Sequence, residues 1–300
     1  MSMYYQPDTH IFWNGEIVKA SDAKIDLYSQ TMHYGLGVFE GIRSYKTIEG
    51  EAKIFKATAH YERLKNSAEL VNIPFKWETE ELISATYQIL QINELQNAYI
   101  RPLVYSPANM SFNLNKDSFI VIETWQMAPF LGEKLLEVMT SSFERPNPSG
   151  FKIEAKVTGH YVNSILASQE AKAKGFDEAL LNDINGFVAE GPGANIFMEK
   201  NGVLVTPPAG NILPGITRAT VLEICEEMNI PVIEKHFTTA ELKKADSAFF
   251  CGTAAEVIGI ASIDEVAFKN EWEDSAGFRI QQAYKNLVIE KLFINSQSFV

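Results

Sequence analysis

The stretch Glu154-Ala-Lys-Val-Thr-Gly-His-Tyr161 is the one from which the rest of the chain is best read. A lysine stands between small and β-branched residues, a Thr-Gly break follows, and an aromatic hydroxyl opens a helical run. That order puts Lys156 at the end of an extended segment, just ahead of a helix over residues 161–174 that Gly175 ends. A lysine is most often solvated and is rarely buried without a partner. One that is drawn out of water becomes a usable amine, able to bond to a carbonyl carbon.

Working outward toward the C-terminus, residues 178–182 and 187–190 flank Asn185-Gly186, and residues 196–198 and 203–206 flank Asn201-Gly202. This reads as an antiparallel meander with Glu190 at a strand end. Glu190 opens Glu190-Gly-Pro-Gly-Ala-Asn195, where glycine lets a carboxylate approach a flat ligand closely. A carboxylate beside a pyridine nitrogen keeps that ring protonated and electron-poor. Leu213-Pro-Gly-Ile-Thr-Arg218 opens a helix to Met228, with Val221, Leu222, Cys225 and Met228 on its apolar side. Its start offers the backbone N–H groups of Gly215, Ile216 and Thr217, a setting that favours phosphate. A strand from Ala248 ends in a second small-residue turn, Gly252-Thr-Ala254. One amine, one acid and two anion-binding turns together point to pyridoxal 5'-phosphate.

Toward the N-terminus, Ile11-Phe-Trp-Asn-Gly-Glu-Ile-Val18 predicts a hairpin on an Asn-Gly turn. The run Thr31-Met-His-Tyr-Gly-Leu-Gly-Val-Phe-Glu-Gly-Ile-Arg43 approaches a dinucleotide fingerprint, but its third glycine falls one place late, at Gly41, and no clear strand precedes it. Residues 59–71 fit a helix with Tyr61, Leu64, Ala68 and Val71 on one face, and Arg63 off that stripe, toward solvent or a ligand. Thr79 is expected to cap a second helix. Residues 99–105 and 118–124 read as strands, so residues 1–127 form a mixed α/β unit. Proline and glycine interrupt the pattern over 128–134, the expected linker, and residues 135–300 make the second unit. There, 135–142 is strand-like and 145–150 is a loop.

Composition narrows the classes. The 300 residues carry a formal charge of −12, with 46% hydrophobic and 21% charged residues. An acidic balance argues against partnership with nucleic acid or an anionic membrane surface. Two distant cysteines, Cys225 and Cys251, argue against a disulfide framework. With no apparent secretory signal or membrane span, the expectation is a cytoplasmic protein. The five histidines show no metal-ligand spacing, and no nucleophile elbow or Walker-type loop occurs, so no metal is expected.

Six segments in order resemble those of the fold type IV pyridoxal-phosphate enzymes, and within them the branched-chain amino acid aminotransferases. They are residues 33–43, Tyr99-Ile-Arg-Pro102, Lys156, Glu190-Gly-x-Gly-x-Asn195, residues 213–218 and Gly252-Thr-Ala-Ala255. The resemblance implies an α/β (α+β) fold, with a small N-terminal domain and a larger pseudo-barrel domain. It implies that Lys156 bonds to the cofactor and moves the reaction's proton, that Glu190 holds the ring nitrogen, and that Tyr161 meets the phenolic oxygen. Arg63, Ile216, Thr217 and Thr253 would hold the phosphate, beside Gly215 and Gly252. Thr253, Ala254 and Tyr99 would meet the substrate carboxylate. Phe39, Gly41, Tyr34 and Tyr161 would wall the side-chain pocket, with Tyr34 open to loan from a partner subunit in a homodimer or higher homo-oligomer. Met127 stands where some relatives have tryptophan, and His160 where several have asparagine. Arg101 is the candidate for a second carboxylate on the substrate. The implied reaction exchanges an amino group between leucine, isoleucine or valine and 2-oxoglutarate. The alternatives are an aminotransferase for D-amino acids or amines, and a binding protein that keeps the cofactor without the chemistry.

Overall fold

The computed structural model describes residues 4–127 and 134–291, so residues 128–133 of the expected linker lie outside the described residues. Two sheets carry the architecture. The first holds β1 (His10–Trp13), β2 (Glu16–Lys19), β3 (Gly37–Phe39), β4 (Ile42–Lys46), β5 (Ala52–Ile54), β6 (Ala98–Tyr105) and β7 (Phe119–Gln126). Their order is β2-β1-β7-β6-β4-β5, with β3 also on β6, and every pairing is antiparallel. Helices α1 (Gln30–Tyr34), α2 (Ala57–Leu70) and α3 (Thr79–Ile92) belong to this half.

The second sheet holds β8 (Leu136–Thr140), β9 (Glu178–Asn182), β10 (Val188–Glu190), β11 (Asn195–Lys200), β12 (Val203–Thr206), β13 (Val232–Glu234), β14 (Ser247–Gly252), β15 (Glu256–Ile263) and β16 (Val266–Ala267). It runs β10-β9-β8-β15-β14-β11-β12-β13, and β11 pairs back onto β10. That pairing closes a ring of six strands, the pseudo-barrel. Helices α4 (Tyr161–Ala173), α5 (Ile216–Glu227), α6 (Thr239–Leu242) and α7 (Ala276–Val288) complete the chain. No described helix is long and apolar enough to cross a membrane.

Local chemistry explains most elements. Asn14 and Gly15 sit at φ 53° and 100°, and Asn201 and Gly202 at 51° and 77°, the left-handed pair that a two-residue hairpin turn needs. Asn185-Gly186 does otherwise. The Asp183 carboxylate accepts from the N–H groups of Asn185 and Phe187, which makes a wider loop and starts β10 at Val188. The cap of α3 also differs from expectation. Glu78 occupies the cap position, and the Thr79 hydroxyl is drawn off to donate to Glu62 across the helix pair.

Pro102 lies in the middle of an inner strand, where a missing N–H usually costs a ladder bond. Here the neighbouring strand is broken at that point. Phe39 pairs with Leu103 and Ile42 with Ile100, so Glu40 and Gly41 form the gap beside Pro102, whose carbonyl accepts from the Glu40 N–H at 2.8 Å. The break matters because it turns Glu40 inward and brings Gly41 against Tyr99.

Apolar faces of α2 and α3 (Tyr61, Leu64, Leu82, Ile89) pack on Ile100, Ile120 and Ile122 of the first sheet. Ala155 and Val157, the neighbours of Lys156, belong to this same core. A second core joins α5 and α7 to β14, and a third lies among Val138, Leu180, Ile196, Phe250 and Ile258.

Candidate active site

Lys156 is held by its backbone before its side chain does anything. Its N–H donates to Ser67 Oγ of α2 at 3.1 Å, and its carbonyl accepts from the Phe39 N–H at 3.0 Å. Val157 bridges Val38, and the Thr158 hydroxyl donates to the Gly35 carbonyl at 2.6 Å. Gly35 and Gly159 make this approach possible, since a Cβ at Gly35 would lie 2.7 Å from Gly159 Cα. Ala155 and Val157 belong to the core, and the Val157 N–H donates back to the Ala155 carbonyl at 3.0 Å, a tight turn centred on Lys156, whose side chain enters a cavity of about 1060 Å³. Its Nζ donates to the Tyr161 hydroxyl at 2.5 Å and lies 4.9 Å from the Phe39 ring.

Glu190 ends β10 almost fully buried. Arg145 Nε lies 2.9 Å from Oε1, Asn195 Nδ2 donates to Oε2 at 3.0 Å, and the Leu213 N–H donates to Oε1 at 3.2 Å. Burial pushes the carboxyl above the usual carboxylate range, against the opposing pull of Arg145. One opposing charge, from Arg145, and two donors, from Asn195 and Leu213, are what an ionised carboxylate needs in so dry a place. Leu213 belongs to the segment that starts α5, so the acid and the helix start are tied together.

The helix start is open. Gly215 is the cap residue of α5, no side chain among the described residues caps the first turn, and Gly215, Ile216 and Thr217 line the cavity, which leaves the first N–H groups of the helix available to an anion. A Cβ at Gly215 would stand 2.0 Å from Oδ1 of Asn195, so a larger residue there would displace Asn195 from its bonds to Glu190 and the Leu213 carbonyl. Arg63 does not face solvent. Its Nε and Nη2 donate to the two Glu40 oxygens at 2.7 and 2.8 Å, and Nη1 donates to the Pro214 carbonyl at 2.9 Å. Across the cavity, Gly252 ends β14 with Thr253 and Ala254 after it, and a Cβ at Gly252 would meet the Gly193 carbonyl at 2.9 Å.

Phe39, Gly41, Tyr99, Arg101, Met127 and Tyr161 line the same cavity, as do the cofactor-site candidates Arg63, Ile216, Thr217, Gly252 and Thr253. Arg101 packs its guanidinium over the rings of Phe39, Tyr99 and Trp125 at 4.7, 5.2 and 5.9 Å. Tyr34 is the exception. It is 47% exposed on α1, leans on Phe112 and does not line the cavity of its own chain.

Four participants escaped the sequence reading. Arg145 lies in a proline-rich loop with nothing in the sequence to mark its destination, and Asn195 carries no local sign of its bond to Glu190. Glu40 and His60 form a fully buried pair behind Arg63, with His60 Nδ1 2.7 Å from Glu40 Oε2. An acid between phenylalanine and glycine was the only available sign of it.

An amine, a buried acid and an uncapped helix start gather around one cavity, a set whose chemistry suits a phosphorylated aldehyde cofactor. The chain belongs to the amino-transferase class IV family, which it matches over residues 37–263. It is 40% identical over 290 residues to the branched-chain-amino-acid aminotransferase of Pseudomonas aeruginosa, covering 95% of this chain and 94% of that one. The crystal structure of the Escherichia coli branched-chain amino acid aminotransferase superposes with a TM-score of 0.92 at 34% identity, over 97% of this chain and 98% of that one. The branched-chain amino acid aminotransferase from Thermobaculum terrenum, in its PLP-form, gives 0.89 at 32% identity, over 96% of each chain. The residues present fit the cofactor this family implies. The open first turn of α5 suits its phosphate and Glu190 a ring nitrogen, while the glycines at 215 and 252 let the α5 start and the end of β14 close on the segment 193–195.

Proposed function

We propose that the protein is a branched-chain amino acid aminotransferase, exchanging an amino group between leucine, isoleucine or valine and 2-oxoglutarate with pyridoxal 5'-phosphate as cofactor. The observation that carries this is the gathering of Lys156, Glu190, the α5 start and Arg101 around one cavity. The bound cofactor would supply an electron sink for the carbon that loses its proton. Lys156 is the group that bonds to it and carries that proton, with Tyr161 within hydrogen-bond reach of its amine. Arg63, Ile216, Thr217 and Thr253 hold the phosphate, and Thr253, Ala254 and Tyr99 orient the substrate carboxylate. Phe39 and Met127 give apolar side chains a dry wall, each buried methylene contributing about 0.8 kcal/mol. Arg101 offers a planar fork to the second carboxylate of glutamate or 2-oxoglutarate.

The division into a small domain over 1–127 and a large one over 135–300 follows the two sheets. The active enzyme is a cytoplasmic homodimer or higher homo-oligomer, in which Tyr34 reaches the site of a neighbouring copy. Support for that is the exposure of Tyr34 and its place off the wall of its own chain's cavity.

The test is direct. Protein purified with the cofactor should be yellow, and borohydride followed by mass spectrometry should place the adduct on Lys156. Lys156→Ala should retain cofactor through the phosphate and lose several orders of magnitude in turnover, because nucleophile and proton carrier go together. An adduct on another lysine would refute the assignment. A colourless protein that transfers no amino group would refute the function.

A further inference from the structure

Arg101 has a neighbour that the proposed reaction leaves without a purpose. In the register of β6 and β7, Arg101 lies directly opposite Glu123, and Tyr99 opposite Trp125. Directly opposed residues share one face of a sheet, with Cβ atoms about 4.5–5.5 Å apart. This face lines the cavity: Tyr99, Arg101, Glu123 and Trp125 are all on its wall. The other face, Ile100, Ile120 and Ile122, is core.

The two charges sit side by side without closing an ion pair, for no Arg101–Glu123 bridge occurs among the described residues. Arg101 spends Nη2 on the Tyr99 hydroxyl at 3.2 Å, and its buried Nε has no hydrogen-bond partner among the described residues. Its charge is thus free for a ligand. Glu123 keeps exposed surface, while partial burial of its carboxyl on the cavity wall pushes it up and the Arg101 guanidinium, the one charge acting on it, pulls it down.

We propose that Glu123 is a specificity-determining residue. Its carboxylate offsets the Arg101 charge while an apolar side chain fills the pocket, and it repels the second carboxylate of a dicarboxylate substrate. This rests on the aminotransferase reading and says how one pocket balances two kinds of side chain. An apolar group set against a bare guanidinium prevents water from solvating that charge, which is costly. A nearby acid lessens this cost. The same acid adds a like charge when glutamate enters, and like charges set opposite one another are unfavourable. The residue therefore tilts a dual-purpose pocket toward branched donors.

Glu123→Gln keeps the size and removes the charge. The ratio of kcat/KM for the glutamate half-reaction to that for leucine should rise about twofold to fivefold, the scale of a directly opposed cross-strand charge pair. Calorimetry on the cofactor-loaded protein should show glutarate, which cannot react, binding tighter to the variant by a similar factor, while 4-methylpentanoate binds no tighter. The gain should shrink in high salt, as expected for an exposed charge. Arg101→Ala should lower glutarate binding instead. A ratio unchanged or lowered in Glu123→Gln, or a gain shared equally by the two acids, would overturn the role of Glu123. Wild-type protein that turns over neither leucine nor glutamate would overturn the aminotransferase reading itself.

Discussion

Glu40 has no exposed surface, yet it is ionised. Burial alone would raise its carboxyl, but Arg63 and His60 reverse this and hold it well below the usual carboxylate range. His60 is pushed down by burial, only partly restored by Glu40, so the pair works with a neutral imidazole. Glu40 releases its proton more readily folded than unfolded. Its stabilisation is therefore complete above its ordinary value of 4.5 and is lost as pH falls below it. Glu40→Gln should destabilise the protein by about 3–5 kcal/mol at neutral pH, because Arg63 is left as a buried charge without its partner. Urea unfolding at several pH values should show the gap between variant and wild type narrowing in acid. A gap that stays constant with pH would mean that Glu40 contributes through packing alone.

At the scale of elements, the lysine segment is the piece that packing governs. Residues 155–157 belong to no helix or strand and are held by β3 on one side, through Phe39 and Val38, and by Ser67 of α2 on the other. Gly35 controls that seat. It sits at φ +69°, and a Cβ there would press on the Gly159 backbone. Gly35→Ala should cost roughly 1–3 kcal/mol from the backbone conformation alone. It should also push the Thr158–His160 turn away from β3, carrying Lys156 with it. Thermal unfolding and the absorbance of the cofactor-loaded variant would be read together. A variant with wild-type stability and spectrum would show that the two glycine backbones can move apart without cost. Gly186, at φ +80° and with open space around it, offers the contrast of a turn whose substitution touches no other element.

At the scale of the molecule, one surface stands out. Leu27, Tyr28, Met32, Tyr34, Phe112 and Leu114 are exposed large apolar groups, at 70%, 66%, 56%, 47%, 91% and 75%. Hydrogen bonds stitch α1 to the segment that carries Phe112, from Gln30 Nε2 to the Ser111 carbonyl at 2.6 Å and from Asn115 Nδ2 to Gln30 Oε1 at 2.6 Å. A patch held this firmly in place is suited to a partner, and a second copy is the partner the proposed function requires. Phe112→Asp should weaken self-association tenfold or more, since a buried phenylalanine contributes about 1.5–3 kcal/mol and a two-fold interface counts it twice. Analytical ultracentrifugation across a dilution series would read it. Turnover per protomer should fall in step with dissociation if Tyr34 works in the neighbouring site.

Short-range chemistry was legible in the residues themselves. The Asn14-Gly15 and Asn201-Gly202 turns, the helix that Gly175 ends, the α5 start and the strand through Tyr99 and Arg101 each depend on neighbours in sequence. A linear reading sees such neighbours. The motif order of Lys156, Glu190, residues 213–218 and Gly252-Thr-Ala-Ala255 was legible for the same reason, and so was the chemistry those residue types suit. Tertiary structure alone decided what meets across long separations. Arg145 reaches Glu190, Arg63 ties Glu40 to Pro214, and Glu123 comes to stand opposite Arg101. Nothing local distinguishes those side chains from solvated ones. A buried charge is tolerable only where the fold delivers its partner, and that delivery depends on sheet register and on the closing of the strand ring, not on any stretch of the chain.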